Sequence, residues 1–371
     1  MPTYEVLQLE AKSGKVIASL PFTSLEYSDV LNAAGAAAIG VPLDAADPNT
    51  LVPGRSALVV TADGEPQWGG ILWAASADLA AGTLALNASG WFSYYSFCYL
   101  ASWTPVGGAG GRLGQYRGYS GKKDQTLMLR DWIESANDND GIATDTSRLL
   151  LTSFEIRRRA WKFSEFKNVA EAINEIADED GGFNFRFESY WGRTERPWEP
   201  PARVGNRIIL SPKLSQTFPT LTHRVDVDVS QVSYDGSKLA SEAWAFGADT
   251  GTGVKAYQRV TNTLPLTPRL QQVTTYSDLK TTAELNPKAA AMAAVGRSVI
   301  AIPSLELYPG VYDRSLFRPG MYGVVKATSG YVRLSDDFVI TERRIAVDVN
   351  GTESVALSLA SKEVFVSDSS N

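Results

Sequence analysis

The sequence predicts a predominantly β protein of the α+β class. Residues 54–73 place two apolar runs, Ser56 to Val60 and Trp68 to Trp73, around an Asp63-Gly64 turn, which reads as a hairpin. Towards the C-terminus, Ile345, Val347 and Val349 alternate with polar residues up to Asn350-Gly351, and Val355, Leu357 and Leu359 alternate back. That is a second hairpin with a favoured turn dipeptide. Only a few short stretches repeat at helical spacing.

In chain order, residues 4–22 form a hairpin turning at Ser13-Gly14, and a small-residue segment, 31–51, leads into the 54–73 hairpin. In its second strand, Gly69-Gly70 marks a bulge or a close backbone approach, because neither residue has a side chain to pack. Trp68 and Trp73 flank the pair, each with a large apolar surface to bury and one N–H to satisfy. These four residues are the structural centre of the reading. Residues 83–88 alternate and lead into the aromatic run 91–99. Strands and tight turns at such intervals mean a β-sandwich or barrel.

Residues 103–123 are glycine-rich and read as a surface loop or linker. A helix follows, with Leu129, Trp132 and Ile133 on one face and Asp124 as N-cap. A second helix fits 169–178, with Asn168 and Glu171 as a capping box and Gly181-Gly182 as its stop. Phe183, Phe185 and Phe187 then alternate as a half-buried strand. Residues 190–206 are a proline-rich connection before a strand at 207–210. Val225, Val227 and Val229 alternate, and 243–248 is a further strand. Asn286-Pro287 opens a third helix running to about Ser298, with proline in the favoured first position.

The 371 residues, 44% hydrophobic and 20% charged, suit about two or three globular domains. No apolar run reaches the roughly 18–20 residues of a membrane helix, so no membrane insertion is expected. The N-terminus reads as lacking a secretory signal. A net charge of −6 argues against nucleic acid as a principal ligand, since phosphate contacts need a basic face. The single cysteine, Cys98, sits among aromatics and reads as a buried hydrophobe.

Catalytic patterns are absent. The lone histidine, His223, reads as a strand or turn residue. Gly118-Tyr119-Ser120-Gly121 has Lys122 where a nucleophile elbow needs glycine. One Cys and one His cannot supply a zinc site. An EF-hand placed on Asn137 to Gly141 would put Ala136 and Ser147 at positions that need carboxylates, so this run reads as a helix end and polar turn. Neither the glycines at 107–114 nor Gly121-Lys122-Lys123 has a nucleotide-binding spacing. Glycoside hydrolysis needs only two carboxylates; the candidates are Asp178-Glu179-Asp180 and Glu195 with Glu199. Trp103, Trp191 and Trp198 fall on expected loops and are candidate interface or ligand contacts. No catalytic, cofactor or metal residue is assigned.

The order of features resembles a known family. An N-terminal strand pair is followed by LEYSDVLNAAGAAAIGVPLD, LVPGRSALVV and WGGILW. Then come the helix–GlyGly–strand unit at 168–187, SYDGSKLASEAWAFGAD, the Asn-Pro helix and FVITERRIAVDVNGTESVALSLA. This resembles the minor tail proteins of long-tailed bacteriophages (siphoviruses) of actinobacteria and, more broadly, the tail-tip or baseplate hub family. The resemblance implies two tail-tube-like β-barrels with an inserted helix-containing domain. The first barrel takes 1–105, with 206–250 as its candidate completion. The insertion takes 106–205, and 251–371 is an α+β region with the second barrel. It implies a structural virion protein, not an enzyme. The expected partners are two further copies in a homotrimer, the distal tail ring, the tape-measure C-terminus and other minor tail proteins or a central fibre. DNA would pass transiently, without sequence-specific binding, and assembly would take place in the host cytoplasm. Some relatives carry a wall-hydrolase extension after the hub, and none is expected here. The alternative is a tail protein that binds host-surface carbohydrate.

Overall fold

The computed structural model describes residues 2–100, 102–105, 114–138, 140–179, 181–192, 203–249, 255–276, 281–308, 310 and 316–362. The chain forms two compact units. The first comprises 1–177, 181–215 and 342–356; the second comprises 178–180, 216–341 and 357–371. The tip of the C-terminal hairpin, 342–356, therefore belongs to the first unit, and 206–250 is divided between the two.

Seven strands build the sheet of the first unit: β1 (Tyr4–Glu10), β2 (Val16–Leu20), β3 (Ser24–Val30), β4 (Ala36–Pro42), β5 (Ser56–Ala62), β6 (Glu65–Asp78) and β7 (Thr83–Gly90). Their order is β3-β4-β7-β6-β5-β1-β2, all antiparallel. Residues 342–347 pair antiparallel with β3 at the far side. β5, flanked by β1 and β6, is buried along its whole length. Alternation sorts its side chains. Ala57 and Val59 join Leu7, Leu9 and Ile71 in one core, while Leu58 and Val60 are buried facing the other way.

The sheet is open among the described residues, and no closed barrel forms. This corrects the expectation of two barrels. Closure would need a ladder along the outer side of β2. That strand is five residues long and, besides β1, the one neighbouring pairing is an isolated bridge between Lys15 and Arg203.

The rest of the first unit packs around an aromatic 3₁₀ segment, Trp91–Phe97. Helices α1 (Gln125–Asp138) and α2 (Val169–Asp178) bury the faces their spacing predicts, Met128, Leu129, Trp132 and Ile133 on one, Val169, Ile173 and Ile176 on the other. Asp124 caps α1, its carboxylate accepting the Thr126 N–H at 2.8 Å. Asn168 caps α2 by accepting the Glu171 N–H at 3.2 Å, whereas the Glu171 side chain pairs with Lys167. The antiparallel pair Phe183–Trp191 and Val204–Pro212 completes this core. The core also contains Phe92, Tyr95 and Leu100, so it extends across position 105.

The glycine-rich stretch expected as a loop carries strands at 102–105, 114–117 and 120–124. The strand Ser120–Asp124 takes its register from Ile156–Ala160, a distant partner.

In the second unit, Glu242–Asp249 lies between Lys255–Thr261, antiparallel, and Gln271–Thr275, parallel. Helix α3 (Thr282–Val295) buries Leu285, Ala289 and Ala293, one residue per turn. It starts before the predicted Asn286-Pro287, so Pro287 lies inside the helix. Burial of Leu285 holds the earlier turn in place. Elsewhere in this unit, Val227–Asp235 pairs with Ile300–Leu307, and Tyr322–Ser329 pairs with the strand starting at Val332. Val225 and Val349, both read as strand residues, lie in turns and are exposed.

Candidate functional site

The 54–73 hairpin is anchored at every point the sequence singled out. Asp63 and Gly64 both have positive φ, 51° and 78°, as a tight two-residue hairpin turn requires. The Trp68 indole N–H donates to the Ser28 carbonyl at 3.1 Å, and that of Trp73 donates to Ser93 Oγ at 2.9 Å. A Cβ on Gly70 would sit 2.1 Å from the Ser89 carbonyl oxygen, and one on Gly69 would sit 2.2 Å from Ser189 Oγ. The glycines are therefore places of close approach. The bulges lie beside them, between Val60/Thr61 opposite Gln67 and between Leu72/Ala74 at Trp73.

Two more tryptophans tie distant segments to this hairpin. Trp91 Nε1–H donates to Ser189 Oγ at 2.9 Å, and Trp191 Nε1–H donates to the Gly64 carbonyl at 2.8 Å. Trp191 thus has a partner within its own unit. The Trp103 side chain and the whole of Trp198 lie outside the described residues, as do Glu195 and Glu199.

A buried polar chain fixes the segment after α1. Tyr95 donates to Thr144 Oγ1, Thr144 donates to Asn206 Oδ1, and the Asn206 amide donates to the Ile142 carbonyl. Burial pushes the Tyr95 phenol well above its usual range. Arg343 is nearly sealed from solvent and pairs with Asp29. Burial favours its neutral form, but the Asp29 carboxylate outweighs this and raises its pKa.

Sequence reasoning missed the charged centre of the second unit. The Glu242 carboxylate, 8% exposed at the residue level, accepts from Arg269 at 2.9 Å, from Gln271 at 2.9 Å and from the Trp244 indole at 3.2 Å. Arg259 also pairs with it, at 3.2 Å. The Arg269 bonds come first among the causes that hold its pKa down at about 2. Its partners lie up to 29 residues away, and no spacing motif links them.

His223, Asp140 and Cys98 each have a partner within the fold. His223 Nδ1 accepts the Val229 N–H at 3.0 Å, which fixes a turn. Asp140 pairs with Lys12, and Cys98 Sγ lies 3.6 Å from the Tyr94 carbonyl oxygen, with burial raising its pKa. Among the described residues, no three His, Cys, Asp or Glu stand together as metal donors. The geometry does supply strand edges. The outer side of β2 and the outer side of Val227–Asp235 each end a described ladder.

No family model matches the chain, and no curated protein matches it in sequence. Solved structures do match. The 43 kDa tail protein of prophage MuSo2 from Shewanella oneidensis superposes with a TM-score of 0.61 at 12% identity, covering 100% of each chain. The fold is that of phage tail proteins. A tail protein from Neisseria meningitidis MC58 gives 0.57 at 13% identity, covering 99% of each chain. The prophage tail protein gp18 from Listeria monocytogenes EGD-e gives 0.56 at 12%, covering 98% of this chain and 96% of that one. The tail-protein fold thus extends over both units and is not a local likeness.

Proposed function

We propose that this chain is a structural subunit of a phage tail tip, the hub at which three copies join a sixfold tail tube or distal ring to a threefold tip. The observation that carries the reading is the end-to-end match to three tail proteins, with almost nothing left over on either side. Two further features support it. Each unit presents a strand edge that ends a described ladder, the type of surface through which subunits add strands to one another. The conspicuous side chains are engaged in holding the fold, which suits a protein that works by geometry.

In this reading each of three copies contributes its two units, giving six positions around the ring. Residues 1–105 begin the first element, 106–205 form an insertion, and 251–371, apart from 342–356 of the first unit, form the region of the second. The distal tail ring, the tape-measure C-terminus and other minor tail proteins or a central fibre are its neighbours. Trp103, Trp191 and Trp198 are its candidate interface contacts. The excess of acidic over basic residues, 41 to 35, favours passage of DNA without adhesion. The protein works in the virion, is assembled in the host cytoplasm and is not an enzyme; an actinobacterial siphovirus is the source the sequence order favours. Native mass spectrometry of the purified chain across a concentration series tests the assembly. A trimer is expected, and a chain that stays monomeric at every concentration and in isolated tail tips would exclude the hub role.

A further inference from the structure

On the first unit, the core face of β1 and β6 opens into a pocket of about 570 Å³, within the roughly 300–1,000 Å³ range of small-molecule sites. Its floor is apolar, formed by the buried Leu9, Ile71 and Ile142. One wall is aromatic. Phe97 is 65% exposed and packs on Trp73 with ring centroids 4.7 Å apart. Because the Trp73 N–H is taken by Ser93, the indole meets the pocket as an apolar surface.

The rim is polar and electrically balanced. It carries two cations, Lys12 and Arg55, two carboxylates, Glu10 and Asp140, and the Asn49 amide. Lys12 and Asp140 already pair at 2.7 Å while both remain exposed. The backbone of Arg55 is bonded to Ala11 and Val52, while its side chain has no hydrogen-bond or ion-pair partner among the described residues.

We propose that this pocket binds a short neutral saccharide. The C–H face of a pyranose ring carries partial positive charge and is apolar in shape, so it stacks on the electron-rich face of an exposed aromatic ring. The ring's vicinal hydroxyls are paired donors and acceptors. They match a carboxylate, an amide and a guanidinium fork, each of which can engage two neighbouring hydroxyls. A balanced rim gives no net attraction to a polyanion. A strand from a second copy would pair along the edge of β2 and would not enter the cavity. Ile17 is the lining residue that belongs to β2, whose outer edge is a proposed ring contact, and the aromatic wall and the rim come from other segments. The monomer can therefore be tested by itself, and failure of either idea leaves the other standing.

The test is saturation-transfer NMR on the full chain with cellobiose, maltose, mannobiose and N,N′-diacetylchitobiose, each at about 5 mM, enough to detect millimolar affinity. At least one sugar is expected to show enhanced ring protons and to quench tryptophan fluorescence. Phe97→Ala should weaken that binding about tenfold, a loss of about 1.4 kcal/mol, with the melting temperature unchanged. Arg55→Ala, altering an exposed and unpaired side chain, should weaken it without any effect on folding, and so provides a second readout. The proposal is overturned if no sugar gives saturation transfer, or if binding survives both substitutions.

Discussion

The Trp68–Trp73 element and the Glu242 centre hold their units together by opposite means. The first relies on shape: two indoles bonded to distant carbonyl and hydroxyl oxygens, with glycines where neighbouring atoms leave no room for a Cβ. The second relies on charge, one carboxylate gathering two guanidiniums, an amide and an indole N–H. A steric device fails when atoms are added and is indifferent to pH. A charge device tolerates small changes of volume but fails when its charge is removed.

The largest effect should come from adding atoms to the steric device. Gly70→Val would drive a side chain into the β7 backbone at Ser89 and Gly90, costing about 3 kcal/mol or more in a guanidinium-chloride unfolding titration. A change under 1 kcal/mol would mean that the strands separate easily there. Removing the nearly buried guanidinium from the Arg343–Asp29 pair should come next. Arg343→Ala leaves Asp29 without its guanidinium partner and should cost about 3 kcal/mol in the same titration. Arg343→Met, which keeps the apolar stem but not the charge, should lose somewhat less but still most of this; a Met variant as stable as the parent chain would assign the effect to packing.

Acid should separate the two devices. The folded-state pKa of Glu242 lies near 2 against an ordinary 4.5. Its contribution is therefore full above about 4.5 and is lost as the pH falls towards 2. Hydrogen exchange, corrected for the intrinsic pH dependence, should show amides of 242–249 losing protection over that window before those of 68–72 do. Simultaneous loss would dissolve the contrast. The smallest effect belongs to a single hydrogen bond. Trp191→Phe removes the donor to Gly64 and should cost about 1 kcal/mol, measured by thermal unfolding.

The same contrast explains what could be read from the sequence. Asp63-Gly64, Asn350-Gly351 and the cap at Asp124 are local, since turn chemistry and helix ends involve residues a few positions apart. The faces of α1 and α2 follow from helical spacing, and Gly70 declares close approach by lacking a side chain. Ser120–Asp124 was not legible because its partner, Ile-Arg-Arg-Arg-Ala at 156–160, lacks polar–apolar alternation and lies more than thirty residues on. The early start of α3 was hidden for a related reason. Pro287 favours a helix start locally, and only burial of Leu285 extends the helix before it. Whether a sheet closes depends on its two outermost strands meeting, which no local pattern encodes. The Glu242 centre and the saccharide pocket draw residues from separate segments, so they emerge only with the fold.

Cryo-EM reconstruction of intact tail tips, with this chain located by a fused density tag, tests the central claim most directly. The account predicts three copies around the tail axis, each placing both of its units in one ring beneath the tube. A single copy, six copies, or a position on peripheral fibres would contradict it.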